Sequence, residues 1–425
     1  MTVTRPHEGW SEQDPQQWFD ATDTAIKAIA AEVDVSGVRG IGLSGHMHGA
    51  TLVDASDLAL RPCILWNDTR SSSEATALDA DPKFRDLSGN IVFAGFTAPK
   101  IAWVKNNEPD VFAKIAKVLL PKDYLRLMLI GDHVAEMSDA AGTSWLDVAK
   151  RDWSDDLLTA TDLTRDHMPR LVEGSESSGQ LRDMLAQQWG LPNGIIVAGG
   201  GGDNAASAIG AGVVKAGDAF VSLGTSGVLF AASDAYQPDA ASAVHTFCHA
   251  VPDTWHQMGV ILAATDALQW LSRLTGQSAS DLTANLGPLQ APSRTLFLPY
   301  LDAREAARAV VEGVTFAFAD CHAALESTGT TIERALAMGG GAKSDYWLSA
   351  IATALNVPLM LPQAGDFGAA LGAARLAMMA VTGAGVEIAT MPPIAKTVDP
   401  DTSLQSAFLD THARYRAAYT ALKDL

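Results

Sequence analysis

Apolar residues along "DPQQWFDATDTAIKAIAAEVD" (14–34) recur at helical spacing, and the Asp14–Pro15 step in front has the form of a helix start. The pattern then shortens. "VRGIGLSG" and "ATLVD" read as two short strands joined by a turn around "HMHG". Helical stretches follow at "PKDYLRLMLIG" and "SDDLLTATD", the latter with Ser154 as N-cap. From Gly194 the rhythm changes. "GIIVAGG" is a β-branched run entering a glycine loop, and "NAASAIGAG" is a small-residue helix leaving it. "AFVSLGTSGVLFAA" reads as two strands around a glycine turn, and "AREAARAVVEGVTFAFADCHAALEST" as a long helix. "IERALAMGGG" enters a second glycine loop, and "SDYWLSAIATALN" is a helix leaving it, capped by Ser344. Strand, glycine loop and helix, used twice, predict an α/β protein with ligand sites at strand ends. A domain boundary is expected at residues 190–195, dividing the chain into 1–193 and 194–425.

Composition narrows the partners. A chain of 425 residues exceeds one ordinary core, so two or more domains are expected. A formal charge of −19 repels nucleic acid and anionic membranes. No run has the length of a membrane span, and "MTVTRPHEGWSEQDP" lacks the basic-then-apolar form of a signal peptide. Three cysteines (Cys63, Cys248, Cys321) make no disulfide framework, which points to a reducing cytoplasm.

Candidate chemistry concentrates in the glycine loops. "VAGGGGDNAASAIGAG" (197–212) carries one carboxylate, Asp203, at its tip. Glycines let a ligand approach the backbone, and a bare carboxylate suits a site that removes a proton better than a phosphate cradle. The plainer reading of Asp203 is a cap on the following helix. Gly200, Gly202 and Ala205 also fit the dinucleotide pattern G-x-G-x-x-A, which would indicate a nicotinamide-dependent dehydrogenase. That pattern wants an acid after the next strand, whereas Asp218 stands before "AFVSLG".

"SLGTSG" (222–227) is a tight turn whose N–H groups could face an anion. In "MGGGAKSDYW" (338–347) the glycines would admit a base or a phosphate at a helix end, and a simple tight turn is the plainer reading. "SGHMHG" (44–49) sets two histidines around a methionine, which suits a sugar pocket, a packed core or, with a third ligand, a metal. "HTFCHA" resembles half a zinc site without its other half, so no metal site is assigned to side chains. "WNDTR" (66–70) has the mixture of sugar-facing loops, with an Asp68–Arg70 ion pair as the alternative.

These segments, together with "RPHEGWSEQDPQQW", "RPCILWNDTR", "LLPKDYLRL", "MSDAAGTSWLDVAKRDWS", "AVHTFCHA", "FLPYL" and "ARAVVEGVTFA", resemble the FGGY family of carbohydrate kinases, within it most closely the xylulokinases, in family order over nearly the whole chain. The resemblance implies an actin-like ATPase (ribonuclease H-like) fold, with two related α/β domains around a cleft. It implies ATP-dependent phosphorylation of D-xylulose to D-xylulose 5-phosphate, with another ketose or polyol as the alternative substrate. Asp203 matches the catalytic base. Met47 and His48 match the sugar pocket, with Trp66 and Asp68 added from "WNDTR". Gly224, Thr225 and Ser226 match the phosphate loop, and Gly340, Gly341, Ala342 and Ser344 the nucleotide side. ATP and Mg²⁺ are the implied cofactors, and a homodimer the implied assembly.

Two departures are expected from the same resemblance. The family opens with a strand, a D-x-G-T-S loop and a second strand, and these do not precede "MTVTRPHEGW" here. A Gly-Glu-Arg-Thr-Pro loop does not follow Leu301. For the 425 residues alone, this predicts a sheet short of central strands and an impaired, ligand-binding remnant.

Overall fold

Seven strands of the second half form one sheet, in the spatial order His245–Cys248, Trp255–Ile261, Gly227–Ser233, Asp218–Leu223, Arg334–Met338, Leu359–Pro362 and Ile394–Val398. The structure is a computed structural model that describes residues 1–293, 303–363 and 368–422, so "FLPYL" lies outside the described residues. The two strands around "GTS" pair antiparallel, and Asp218–Leu223 pairs in parallel with Arg334–Met338. Asp218 is itself the first strand residue, ion-paired with Arg334, rather than lying before the strand.

Alternation along these strands sorts their side chains between two cores. Ala219, Val221 and Leu223 pack with Val311, Phe318, Trp347 and Ile351, which belong to the helices Ala303–Ser327 and Asp345–Leu355. Phe220 and Phe230 face the other way, into a core that continues into the first half through Leu52, Ile64 and Trp145.

The first half contains only short pairings. Ile196–Ala198 lies between Ser177–Gln180 and Gly40–Ile41, in parallel with the latter. "VRGIGLSG", expected as one strand, forms two stubs, Gly40–Ile41 and Ser44–Gly45. The interruption has a steric neighbour: at Gly42 a Cβ would lie 1.8 Å from the Ala373 carbonyl oxygen, so the helix Ala369–Thr382 passes directly over the chain. "ATLVD" does not fold back onto the stubs; Thr51–Val53 pairs instead with Lys117–Leu119.

The helices Gln16–Glu32, Pro121–Ile130 and Asp155–Thr159 form where periodicity places them, and Ser154 accepts a hydrogen bond from the Leu157 N–H. Among the described residues no helix is long and apolar enough to cross a membrane.

Candidate active site

The four glycines before Asp203 have every N–H bonded. Gly199 donates to Glu176 O (2.8 Å), Gly200 to Gly174 O (2.9 Å), Gly201 to Leu43 O (3.0 Å) and Gly202 to Ser138 Oγ (3.0 Å). Gly200 has φ +77°, and a Cβ there would fall 2.1 Å from Leu43 O. No other residue fits without displacing backbone.

The loop ends as a stub paired in parallel with Ser44–Gly45, in the register Gly202 to Gly45. This register brings Asp203 beside the "HMHG" turn. Met47 packs on the loop, since a Cβ on Gly202 would stand 3.0 Å from its Sδ. His48 has φ +67°, bonds Gly142 O through Nδ1 (2.7 Å) and stacks on Phe96 at 4.6 Å between ring centroids. Burial lowers its pKa to about 3, so the ring is neutral at physiological pH. The two histidines of the turn diverge: His46 meets Trp18 edge-on, while His48 lies on Phe96.

Asp203 begins the helix Asp203–Ala211, but the N-cap is Gly202 and no side chain caps this end. Among the described residues, the Asp203 carboxylate accepts only from the neighbouring Asn204, from its N–H (2.7 Å) and its Nδ2 (3.0 Å). The residue is open to solvent, yet the surrounding protein desolvates the carboxyl enough to raise its pKa against those two bonds. An accessible carboxylate with raised basicity can take a proton from a ligand hydroxyl.

The second cluster forms at the ends of the parallel pair Asp218–Leu223 and Arg334–Met338, where Ser222 stands opposite Met338. Gly224, Thr225 and Ser226 make the hairpin turn, with Thr225 and Ser226 exposed. The carbonyls of Gly224 and Thr225 accept from Thr265 N–H (3.0 Å) and Ala264 N–H (2.8 Å), anchoring the turn to the start of the helix Thr265–Thr275. A Cβ on Gly341 would meet Leu223 Cβ at 2.7 Å, so the two loops touch. Gly340 faces open space. Ala342 is buried, and Ser344 caps the next helix through Trp347 N–H (3.3 Å). The open cradle at Gly340 and the exposed Thr225 and Ser226 suit a nucleotide and its phosphates.

Asp68 does not face either cluster as a free acceptor. It is fully buried, its oxygens taking Ser11 N–H (2.5 Å), Arg70 N–H (3.0 Å) and the Arg70 guanidinium at 2.7–2.8 Å. Arg70 in turn lies 3.6 Å over the Trp10 ring. The ion pair is therefore internal and fixes the loop. Trp66, 54% exposed, is free to meet a ligand. In "HTFCHA" the residues serve packing: Cys248 and His249 are buried, while His245 lies 5.8 Å from Phe96.

Several residues at this site carry no motif. Lys100 is fully buried and donates to His48 O (2.8 Å) and Gly95 O (2.7 Å), which holds the backbone of the "HMHG" turn. Burial drags its pKa down to about 7. Gly142 admits the His48 ring, because a Cβ there would lie 2.6 Å from its Cε1. A lysine inside the otherwise apolar "TAPKIAWV" was the available signal.

Residues 1–210 match the FGGY family of carbohydrate kinases, N-terminal domain, and residues 297–381 the C-terminal domain of the same family. The chain is 45% identical to a xylulose kinase of Escherichia coli K12, over 100% of this chain and 93% of the relative. This chain belongs to the FGGY family of carbohydrate kinases. A xylulose kinase of Klebsiella pneumoniae is 47% identical over 90% of this chain and 84% of its own. The fold superposes on a Brucella ovis crystal structure described as a xyloylose kinase, with a TM-score of 0.97 and 55% identity, covering 100% of this chain and 93% of that one. The architecture is thus the actin-like ATPase type of the FGGY sugar kinases. The dinucleotide reading of Gly200, Gly202 and Ala205 falls with this membership: the loop is a sugar kinase's, and the chain is not a nicotinamide-dependent dehydrogenase.

Proposed function

We propose that this chain transfers the γ-phosphoryl group of ATP to D-xylulose, giving D-xylulose 5-phosphate. The observation that supports the reading is the register of Gly202 against Gly45, which sets the glycine directly before Asp203 against Met47. It is supported by the 45–47% identity to relatives named xylulose kinase. Asp203 accepts the proton of the sugar hydroxyl as its oxygen attacks phosphorus. Met47 and the neutral His48 line the sugar pocket, with Trp66 at its rim. Asp68 acts one step back, by holding Arg70.

On the nucleotide side, Gly224, Thr225 and Ser226 meet the phosphates, and Gly340, Gly341 and Ala342 meet the nucleotide. Ser344 shapes that loop by capping its helix. Mg²⁺ carried on ATP supplies charge neutralisation when bound. The division 1–193 and 194–425 assigns sugar and nucleotide sides, with the strand Ile196–Ala198 reaching back into the sugar side. A reducing cytoplasm and a homodimer complete the proposal.

The test is phosphorylation of D-xylulose, D-ribulose and xylitol by the purified chain. D-xylulose is expected to give the highest kcat/KM, and Asp203→Asn to lower kcat by about 10²- to 10⁴-fold with the fold retained. An Asp203→Asn protein with wild-type kcat would sink the assignment.

A further inference from the structure

The glycine loop that carries Asp203 is backed by a buried cluster of charges that no motif marks. Lys122, Asp123 and Arg126 come from the helix Pro121–Ile130; Glu136 and Asp139 come from the strand Val134–Glu136 and the turn of helix after it. All five are buried. Lys122 Nζ lies 2.7 Å from Asp123, 3.3 Å from Asp139 and 3.5 Å from Glu136. Replacing such a cluster by apolar side chains is often neutral or stabilising, so stability alone does not account for it.

What the cluster touches is the loop. Arg126 donates to Ala198 O (2.6 Å) and Gly199 O, at the loop's entry. Glu136 accepts from the Ser138 hydroxyl (2.8 Å) and the Ser138 N–H (2.7 Å), and Ser138 Oγ accepts from Gly202 N–H, directly before Asp203. The three preceding glycine N–H groups go to main-chain carbonyls; Gly202 alone depends on a side chain.

We propose that Ser138 and Arg126 are positioning residues for phosphoryl transfer, holding the two ends of the glycine loop so that Asp203 stays in register with Met47. The inference rests on the proposed role of Asp203. It concerns the placement of the base, not the binding of the sugar, and so predicts a loss in kcat rather than in KM.

Ser138→Ala removes the acceptor for Gly202 N–H and leaves Arg126 in place. Amide hydrogen exchange of the peptide covering 199–204 is expected to speed up in this variant, with exchange in the distant strand Gly227–Ser233 unchanged. The kcat is expected to fall by at least about tenfold, given that a displacement of about 1 Å can cost about 10² in rate, with sugar KM within about twofold. Ser138→Thr keeps the hydroxyl and is expected to restore most of the kcat. Unchanged exchange at 199–204, an unchanged kcat, or a loss confined to KM overturns the inference.

If Ser138→Ala does not fold, Arg126→Lys carries the test. One ammonium cannot reproduce a guanidinium that grips two carbonyls, so the same kcat-only loss is expected, and a wild-type kcat overturns the inference. A wild-type chain that phosphorylates no pentulose instead defeats the parent reading, and is recognised before any variant is made.

Discussion

Gly372→Ala tests whether the helix Ala369–Thr382 sets the position of Asp203, some 170 residues away in sequence. The two helices cross so closely that a Cβ on Gly372 would stand 1.7 Å from Ala206 O and 2.9 Å from Gly210 N. A carbon–oxygen contact needs about 3.3 Å, so the helices must part by roughly 1.5 Å or tilt. Both clashing atoms are main chain and cannot rotate away. Alanine gains about 1 kcal/mol over glycine in a helix interior. Overpacking costs about 1–3 kcal/mol, and a rigid backbone neighbour puts this case at the upper end. The net expectation is a loss of about 1–2 kcal/mol and a Tm lower by a few degrees. Asp203 opens the displaced helix, so kcat should fall by about 10²-fold, with ATP KM little changed. Thermal unfolding and a coupled ADP-release assay read both quantities. Gly313→Ala is the control: it also lies inside a helix, but nothing stands within 4 Å of its Cβ. That change should raise Tm slightly and leave kcat alone. A Gly372→Ala protein with wild-type kcat and a Tm at or above wild type would refute the coupling.

Two further outcomes follow from the site and its surroundings. Lys100→Met takes the ammonium from the His48 and Gly95 carbonyls, leaving His48 O with the Thr97 hydroxyl (3.2 Å), at about 1–3 kcal/mol in all; sugar KM should rise about tenfold or more while ATP KM stays within about twofold, and equal KM shifts for both substrates would contradict the assigned role. pH should act on activity and stability separately. Asp203 works ionised, and desolvation raises its pKa, so kcat/KM should climb with pH through an acid limb above 3.8 that Asp203→Asn abolishes. His249 is buried, receives Ala250 N–H on Nδ1 (2.8 Å), and has its pKa lowered by burial from 6.5 to about 4. The unfolded chain therefore binds the extra proton first. The stability from this ring is complete above about pH 6.5 and is lost as pH falls toward 4, by about 2 kcal/mol at pH 5. Urea midpoints at pH 7 and 5 check the sign, with His249→Gln expected to shrink the difference by its own share while His46, His48 and His245, whose pKa values burial also lowers, keep the rest; a midpoint unchanged by acid in the wild type would count against it.

Local pattern was enough for much of this protein. The unbroken apolar runs on either side of the glycine turn in "AFVSLGTSGVLFAA" mark two paired strands, because a strand buried on both faces needs apolar residues at every step. The runs at 199–202 and 339–341 mark sharp turns because only glycine tolerates φ near +80° with a carbonyl about 2–3 Å from its missing Cβ. Asp203 stands out because a charge at the tip of such a turn has no packing role to explain it. These signals need only neighbours in the chain.

Other features depend on partners that folding brings from afar. "WNDTR" looked equally open to sugar or to solvent until Ser11, 57 residues earlier, reached Asp68 and the pair with Arg70 closed inward. Lys100 stands out in the sequence only as a charge within apolar "TAPKIAWV", and the turn 52 residues before it is what makes the ammonium a brace. Arg126 finds Gly199 across 73 residues, and Ser138 finds Gly202 across 64. Whether a polar side chain binds a ligand or holds a backbone depends on which unpaired groups end up within about 3 Å of it. That is a property of the assembled fold, because burial makes an unmet hydrogen bond costly wherever its partner lies in the chain.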